Sequence, residues 1–403
     1  MPDEGGLGNM RKQYGNLLED AQELQEYMVE LRRDFHRHPE VAFEEHRTAE
    51  KVEEELRRLG LEPMRIGGTG VMADIRGKSP GKTLALRADM DALEVEEETG
   101  LEFASSRKGY MHACGHDAHT ATLLGAAALL VSRKEDFAGT LRLIFQPAEE
   151  NVAGAEVLVR EGVLQGVDAI FGQHIWASLE SGKVSIEEGP RMAGADRFTI
   201  HVKGKGGHAG LPHETVDAAV VTSAIVLALQ SIVSREMNPQ DPVVISMGEV
   251  RSGSRYNVIA DKGFIDGTVR TFNEEVRRNI PHAIRRIAEN TARVYRAEAE
   301  VEYVQGVPVT KNDPAMAALA RESARKILGE NCFEHVPPVG GAEDFSRYVE
   351  RIPGAFGFFG GKSSNPEASG AHHHPKFDID ESRFYQMAAL YAQVGLDYLE
   401  ATE

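Results

Sequence analysis

Thr83-Leu84-Ala85-Leu86-Arg87-Ala88, followed at once by Asp89-Met90-Asp91, is the stretch on which the fold turns. Its apolar run predicts a strand, and two aspartates stand where that strand ends. Downstream, residues 120–131 predict a buried helix, 141–145 a strand, 155–163 a helix and 169–173 another strand. Such alternation predicts an α/β domain whose central, mainly parallel sheet is flanked by helices. Upstream, Leu17, Ala21, Leu24, Met28, Leu31 and Phe35 recur at steps of four and three. They predict one amphipathic helix, stopped by Pro39. A second, charged helix is expected over 44–59, with Gly60 just past its end.

From about Arg191 the pattern changes. Strands are expected over 198–202, 243–250, 263–272 and 299–304, and helices over 216–233 and 274–296. The order β-α-β-β-α-β predicts a ferredoxin-like unit inserted into the first domain. After Pro308 the earlier pattern resumes, with a helix at 315–328, segments at 344–349 and 354–359, and a closing helix at 381–399. The expected division is a catalytic domain of 1–190 with 309–403, and an inserted α+β domain of 191–308.

A chain of 403 residues is too long for one ordinary core. Its formal charge of −18 argues against nucleic acid and anionic membrane partners. Two cysteines, Cys114 and Cys332, build no disulfide framework, which points to a reducing compartment. Residues 1–10 contain no apolar leader core, and no run of eighteen apolar residues is evident, so the cytoplasm is the expected location.

The chemistry concentrates in His112-Ala113-Cys114-Gly115-His116-Asp117-Ala118-His119, three histidines, one cysteine and one aspartate in eight residues. Soft and borderline donors so close together suit one or two transition-metal ions. A thiolate at Cys114 can bridge two ions while His116 binds one of them. A Cys/His nucleophile pair is the competing reading. It lacks an evident orienting Asn and leaves Gln146-Pro147-Ala148-Glu149-Glu150 unexplained. There, adjacent carboxylates point in different directions after an apolar strand, one suited to metal and the other to a water beside it. His174 ends a strand next to Trp176, where a lone histidine is more often structural than a ligand. His372-His373-His374-Pro375 offers further imidazoles or a surface run. Asp89 or Asp91 is placed to accept a ligand imidazole N–H, with two turn aspartates as an equally weighted alternative. Thiolate, imidazoles and paired carboxylates at four separated places are the donors of a dinuclear hydrolytic site. In the inserted segment, Gly204-Lys205-Gly206-Gly207-His208-Ala209-Gly210 presents a histidine without the spacing of a phosphate loop. Asn257 and Arg270 lie on neighbouring predicted strands, and Arg270 can fork onto a carboxylate. Each of these three, taken alone, reads as a surface residue.

Together these residues resemble the dinuclear-metal aminoacylase and carboxypeptidase family. The branch is that of bacterial hippurate and N-acyl-amino-acid amidohydrolases and plant indoleacetyl-amino-acid hydrolases. The likeness runs from about Leu31 to about Tyr398. It rests on Arg33-Asp34-Phe35-His36-Arg37-His38-Pro39-Glu40, Arg87 to Leu93, Met111 to Asp117, Gln146 to Glu150, Gly204 to Ala209, Asn257-Val258-Ile259, Gly267-Thr268-Val269-Arg270 and Ala342-Glu343-Asp344-Phe345.

The resemblance implies two divalent ions per subunit, drawn from Mn, Zn, Co or Ni. Cys114 is then the bridging ligand, His116 and His174 hold one metal, and Glu150 and a C-terminal histidine hold the other. The family's ligand lies two residues before the proline, which selects His373. Glu149 takes the role of general base. His208, Asn257 and Arg270 hold the substrate's carboxylate and the developing oxyanion. The implied substrate is a small N-acyl-L-amino acid, cleaved to a carboxylic acid and a free amino acid. The inserted domain is implied to act as a lid and to form a homodimer or tetramer, with His208 serving the neighbouring subunit. The alternatives are a metallo-dipeptidase or carboxypeptidase on the same scaffold, and a silent ligand-binding homologue, against which the intact Glu149 argues. Glu94 and Ala260 stand where this family often has proline, which alters loop shape and so substrate range.

Overall fold

The computed structural model describes residues 17–401. The 1–10 segment read above for a leader lies outside them. Contacts divide the chain into two compact units. One comprises the chain up to Gly189, Lys311–Pro337 and the chain from Asp344 onward; the other comprises Pro190–Thr310 and Pro338–Glu343.

The first unit is built on a seven-stranded sheet. Its order is Met64–Ile66, Gly70–Arg76, Thr140–Gln146, Thr83–Asp89, Ala169–Trp176, Gly354–Gly360, Val184–Ser185. The four strands from Thr140–Gln146 to Gly354–Gly360 run parallel, and the outer pairings are antiparallel. Central parallel strands are covered on both faces, so their sequences are near-continuous apolar runs rather than alternating ones. Thr83–Asp89 fits: every residue after Thr83 is buried. The helix His116–Val131 is buried along almost its whole length and packs against the helices Gln25–Arg37 and Phe384–Glu400.

Two local features depart from the sequence reading. The first helix is broken at Leu24 into Leu17–Glu23 and Gln25–Arg37, because the Leu24 N–H bonds the Ala21 carbonyl in a tighter turn. The edge hairpin Met64–Ile66 with Gly70–Arg76 was not anticipated. It turns through Gly67 and Gly68, both at positive φ.

The second unit has an antiparallel sheet in the order Val243–Ser252, Lys262–Thr271, Gly194–Lys203, Glu298–Val307. With the helices Ala218–Ser231 and Glu274–Val294 it forms two interleaved βαβ units. Phe198, Ile200, Ile225, Ile265 and Ile284 sit in its separate core. The helical run Ala218–Glu236 has the length and average composition of a membrane span, but Thr222, Ser223, Gln230, Ser231 and Ser234 interrupt it, so it is not a continuous apolar run. A π turn over Ile232–Glu236 lengthens it, and Val221, Ile225, Leu229 and Ile232 face the sheet. Pro338–Glu343 joins this unit because Val339 exchanges backbone hydrogen bonds with Arg191 and Ala193 at 2.8 and 3.0 Å.

Candidate metal centre

Parallel strands deliver their chemistry at their carboxyl ends. Asp89 and Gln146 each end a strand, and His174 lies near the end of a third. The loops that follow carry Asp91, Cys114, Glu149 and Glu150.

Gly115 sets the geometry of the His/Cys octapeptide. Its φ is +95°, and a Cβ there would lie 2.3 Å from Ile175 Cγ2, so only glycine fits. The chain turns at Gly115 directly into the helix His116–Val131. Asp117, in the first turn, is fully engaged. Its Oδ1 accepts the Ala118 N–H, and its Oδ2 accepts from Arg32 Nε at 2.9 Å and His36 Nδ1 at 2.7 Å. Burial opposes its ionisation, but Arg32 and His36 outweigh burial and hold the carboxyl well below its usual range.

The carboxylate pair sits on an equally constrained turn. Ala148 has φ +55°, and a Cβ on Gly154 would lie 1.6 Å from the Pro147 carbonyl oxygen. Asp91 fixes the turn from one side: Oδ1 accepts the Glu149 N–H at 3.0 Å and Oδ2 the Glu150 N–H at 2.9 Å. Glu45 fixes it from the other, accepting the Ala148 N–H at 2.8 Å and the Thr69 hydroxyl at 2.5 Å.

Cys114, His116 and His174 offer ligand atoms within 4.8 Å of one another; so do Cys114, Glu150 and His373, and also His116, Glu149 and Glu150. Cys114 is shared by the first two triads, the arrangement a bridging thiolate requires. Backbone bonds assign the tautomers. His116 Nδ1 donates to the Asp91 carbonyl at 2.9 Å and His174 Nδ1 to the Ile175 carbonyl at 2.7 Å. In the neutral rings both Nε2 atoms then carry lone pairs. His116 Nε2 and Glu150 Oε1 are buried without a hydrogen-bond partner among the described residues, and they lie 3.9 Å apart. Two orphaned acceptors facing each other are costly unless a cation lies between them. The donor set therefore fits divalent metal.

The electrostatics agree. Burial lowers the His116 pKa, but Asp89, Asp91 and Glu150 overcome this and push it up to about 10, so the cluster attracts positive charge: without metal a proton sits on Nε2, and a divalent cation would take that proton's place and leave the ring neutral. Burial, then Glu150 and Glu149, raise the Cys114 thiol well above its ordinary value. A divalent cation reverses that preference, since a coordinating thiol is deprotonated. Burial and the neighbouring His119 hold His174 well below its ordinary value, leaving a neutral ligand.

The remaining histidines of the octapeptide have other tasks. His119 Nε2 accepts the Ile175 N–H at 2.8 Å, so its proton is on Nδ1, bonded to Asp89 at 2.5 Å. It therefore has no lone pair for a metal. His112 is buried, its ring centroid 6.3 Å from that of His36.

His208, Asn257 and Arg270 belong to the second unit. Gly207–His208 pairs with Val258–Ile259, which brings His208 and Asn257 together, and Ala209 N–H bonds the Asn257 carbonyl at 3.2 Å. Gly210 N–H donates to His208 Nδ1 at 3.0 Å, so the exposed ring carries its proton on Nε2. Asn257 Oδ1 is buried without a hydrogen-bond partner among the described residues. Arg270 lies on the strand Lys262–Thr271, with Nη1 donating to Thr268 Oγ1 and the Val269 carbonyl. Sequence reasoning missed Glu45: one carboxylate in a charged helical segment carries no signal of its own.

Residues 85–396 match the peptidase family M20/M25/M40. The N-acetylcysteine deacetylase of Bacillus subtilis is 41% identical over 378 residues, covering 93% of this chain and 97% of that protein. Thermostable carboxypeptidase 1 of Saccharolobus solfataricus is 42% identical over 371 residues, 91% and 93% of the two chains. A crystal structure from Bacillus subtilis, described as a dinuclear metal binding peptidase of the M20 family, superimposes with a TM-score of 0.84 at 38% identity. It covers 94% of this chain and 100% of its own.

Proposed function

The chain belongs to the peptidase family M20/M25/M40, and from that premise we infer that it is a metal-dependent amidohydrolase acting on N-acyl-L-amino acids. It releases a carboxylic acid and a free amino acid. The observation that carries this reading is the pair of donor triads sharing Cys114, with Glu149 beside them. Cys114, His116 and His174 would hold one ion, and Cys114, Glu150 and His373 the other. We expect Mn(II), Zn(II), Co(II) or Ni(II) there. When bound, the metals polarise the amide carbonyl and bring a water's pKa toward neutrality.

The protein's own groups do the rest. Glu149, almost wholly buried, accepts the proton of the attacking water on a carboxylate oxygen and returns it to the departing amine nitrogen. Asp91 keeps that carboxylate and Glu150 on their separate tasks by holding both backbone N–H groups. His208 Nε2–H donates to the oxyanion, a contact of a kind worth about 3–4 kcal/mol. Arg270 and Asn257 hold the α-carboxylate of the amino-acid portion.

Carboxypeptidase or dipeptidase activity is the second reading, favoured by the carboxypeptidase relative. A panel of N-acetyl, N-benzoyl and dipeptide substrates on Mn(II)-, Zn(II)- and Co(II)-loaded protein separates the two. Turnover confined to dipeptides would overturn the first. For assembly we propose a homodimer through the second unit. Val220 and Leu227 are 49% and 74% exposed on the helix Ala218–Ser231, and Val244, 50% exposed, lies on the edge strand Val243–Ser252. Leu227→Arg should convert the dimer to monomer by light scattering. A wild-type chain that is monomeric in that measurement removes the proposal.

A further inference from the structure

Two neighbouring histidines of the C-terminal loop approach the metal donors in different ways. His373 adopts φ +64°, and its N–H bonds the Ala113 carbonyl at 2.8 Å. Its Nε2 lies 3.3 Å from Glu150 Oε2. His372 turns instead toward the sulfur: its Nδ1 lies 3.7 Å from Cys114 Sγ. The other ring nitrogen settles what that atom carries. Ala177 N–H points at His372 Nε2 from 3.3 Å. A backbone N–H can only donate, so Nε2 is an acceptor and the single ring proton is on Nδ1. The ring is also held in place. It stacks on Trp176 with centroids 4.6 Å apart and contacts Phe377 at 5.1 Å.

We propose that His372 is not a metal ligand but a positioning residue that donates an Nδ1–H···S hydrogen bond to the Cys114 thiolate. This rests on the reading of Cys114 as a metal-bound thiolate. His174 contrasts with it. Its Nε2 is 3.4 Å from the same sulfur but carries a lone pair, because its proton is spent on the Ile175 carbonyl. The sulfur thus meets a metal-directed lone pair from one ring and an N–H donor from the other. A hydrogen bond to a ligating sulfur withdraws electron density from it and tunes the metal it serves. It also satisfies one of the sulfur's remaining lone pairs in a buried site.

The test is spectroscopic. In Co(II)-loaded protein, the sulfur-to-cobalt charge-transfer band reports the energy of the sulfur lone pair. His372→Phe keeps the aromatic stack and removes the donor, so the band should move to longer wavelength, while His372→Gln, which retains an N–H, should move it less. A band that is present in the wild type and unmoved in His372→Phe overturns the proposal and leaves the metal site standing. A wild type without any such band overturns both. Imidazole ¹⁵N spectra of the Zn(II)-loaded wild type decide the matter if the variants fail to fold. His372 must show a protonated Nδ1 and a bare Nε2, and the opposite tautomer refutes the assignment.

Discussion

Asp91 offers a sharp test of how the carboxylate pair is held. Its two oxygens divide their work: one accepts the Glu149 N–H at 3.0 Å, the other the Glu150 N–H at 2.9 Å. The first also lies 3.3 Å from His116 Nδ1. Asp91→Asn preserves shape but supplies only one acceptor. Its amide NH₂ must face one of the two N–H groups, donor against donor. A hydrogen bond to a charged group contributes about 1.5–3 kcal/mol, and an orphaned buried donor costs about 1–3 kcal/mol. The Asn variant loses one such bond; Asp91→Ala loses both and leaves two orphans. Removing an outer partner of a metal ligand typically lowers affinity about 10–100-fold. Chelator competition should therefore show Zn(II) affinity falling in the order wild type, Asn, Ala. The Asn variant should lose about tenfold and the Ala variant more, with kcat falling in the same order. If both variants bind Zn(II) and turn over within twofold of wild type, the turn is held by other contacts and the reasoning fails.

Glu149→Gln should keep its metals and lose kcat by several orders of magnitude, whereas Glu150→Gln should lose metal first; metal analysis beside kcat reads both, and near-normal kcat in Glu149→Gln refutes its role as base. Fresh reduced protein dialysed against excess Mn(II) or Zn(II) should retain two equivalents per chain, and less than one contradicts the dinuclear reading. Arg270→Ala should raise KM about 10–100-fold for substrates with a free α-carboxylate and little for their amides, as loss of a charged hydrogen bond implies. Glu45 gives a pH test: burial, opposed by the Thr69 hydroxyl and reinforced by Asp91, raises its carboxyl from 4.5 to about 7. A folded pKa above the unfolded one weakens the fold as pH rises through that window, here by about 3 kcal/mol at most. Glu45→Gln can still accept the Ala148 N–H, so its Tm should exceed that of wild type at pH 8 but not at pH 4.5; an equal difference at both values refutes the shift.

What the sequence disclosed and what it withheld divide along a physical line. Ligand atoms must be sulfur, imidazole or carboxylate, and only two cysteines and fifteen histidines are available. Their crowding around Cys114 was therefore conspicuous, and the apolar strands preceding them told where they would gather. The groups that hold those ligands come from abundant residue types, chosen by backbone geometry that leaves no mark in the sequence. Asp89 and Asp91 show the difference. Asp89 ends the strand and Asp91 follows two residues later, and the sequence offered either as partner for a ligand imidazole. The structure gives Asp89 to Arg87 and His119 at 2.6 and 2.5 Å, and gives Asp91 to the turn bearing Glu149 and Glu150. That assignment depends on Ala148 taking a positive φ, a conformation a non-glycine residue seldom adopts. Glu45 is one of 63 acidic residues, and only its approach to the Ala148 N–H sets it apart. His372 and His373 follow the same rule. Identical side chains one residue apart acquire different tasks because the backbone turns between them, and because Ala177 presents its N–H to one ring and not to the other.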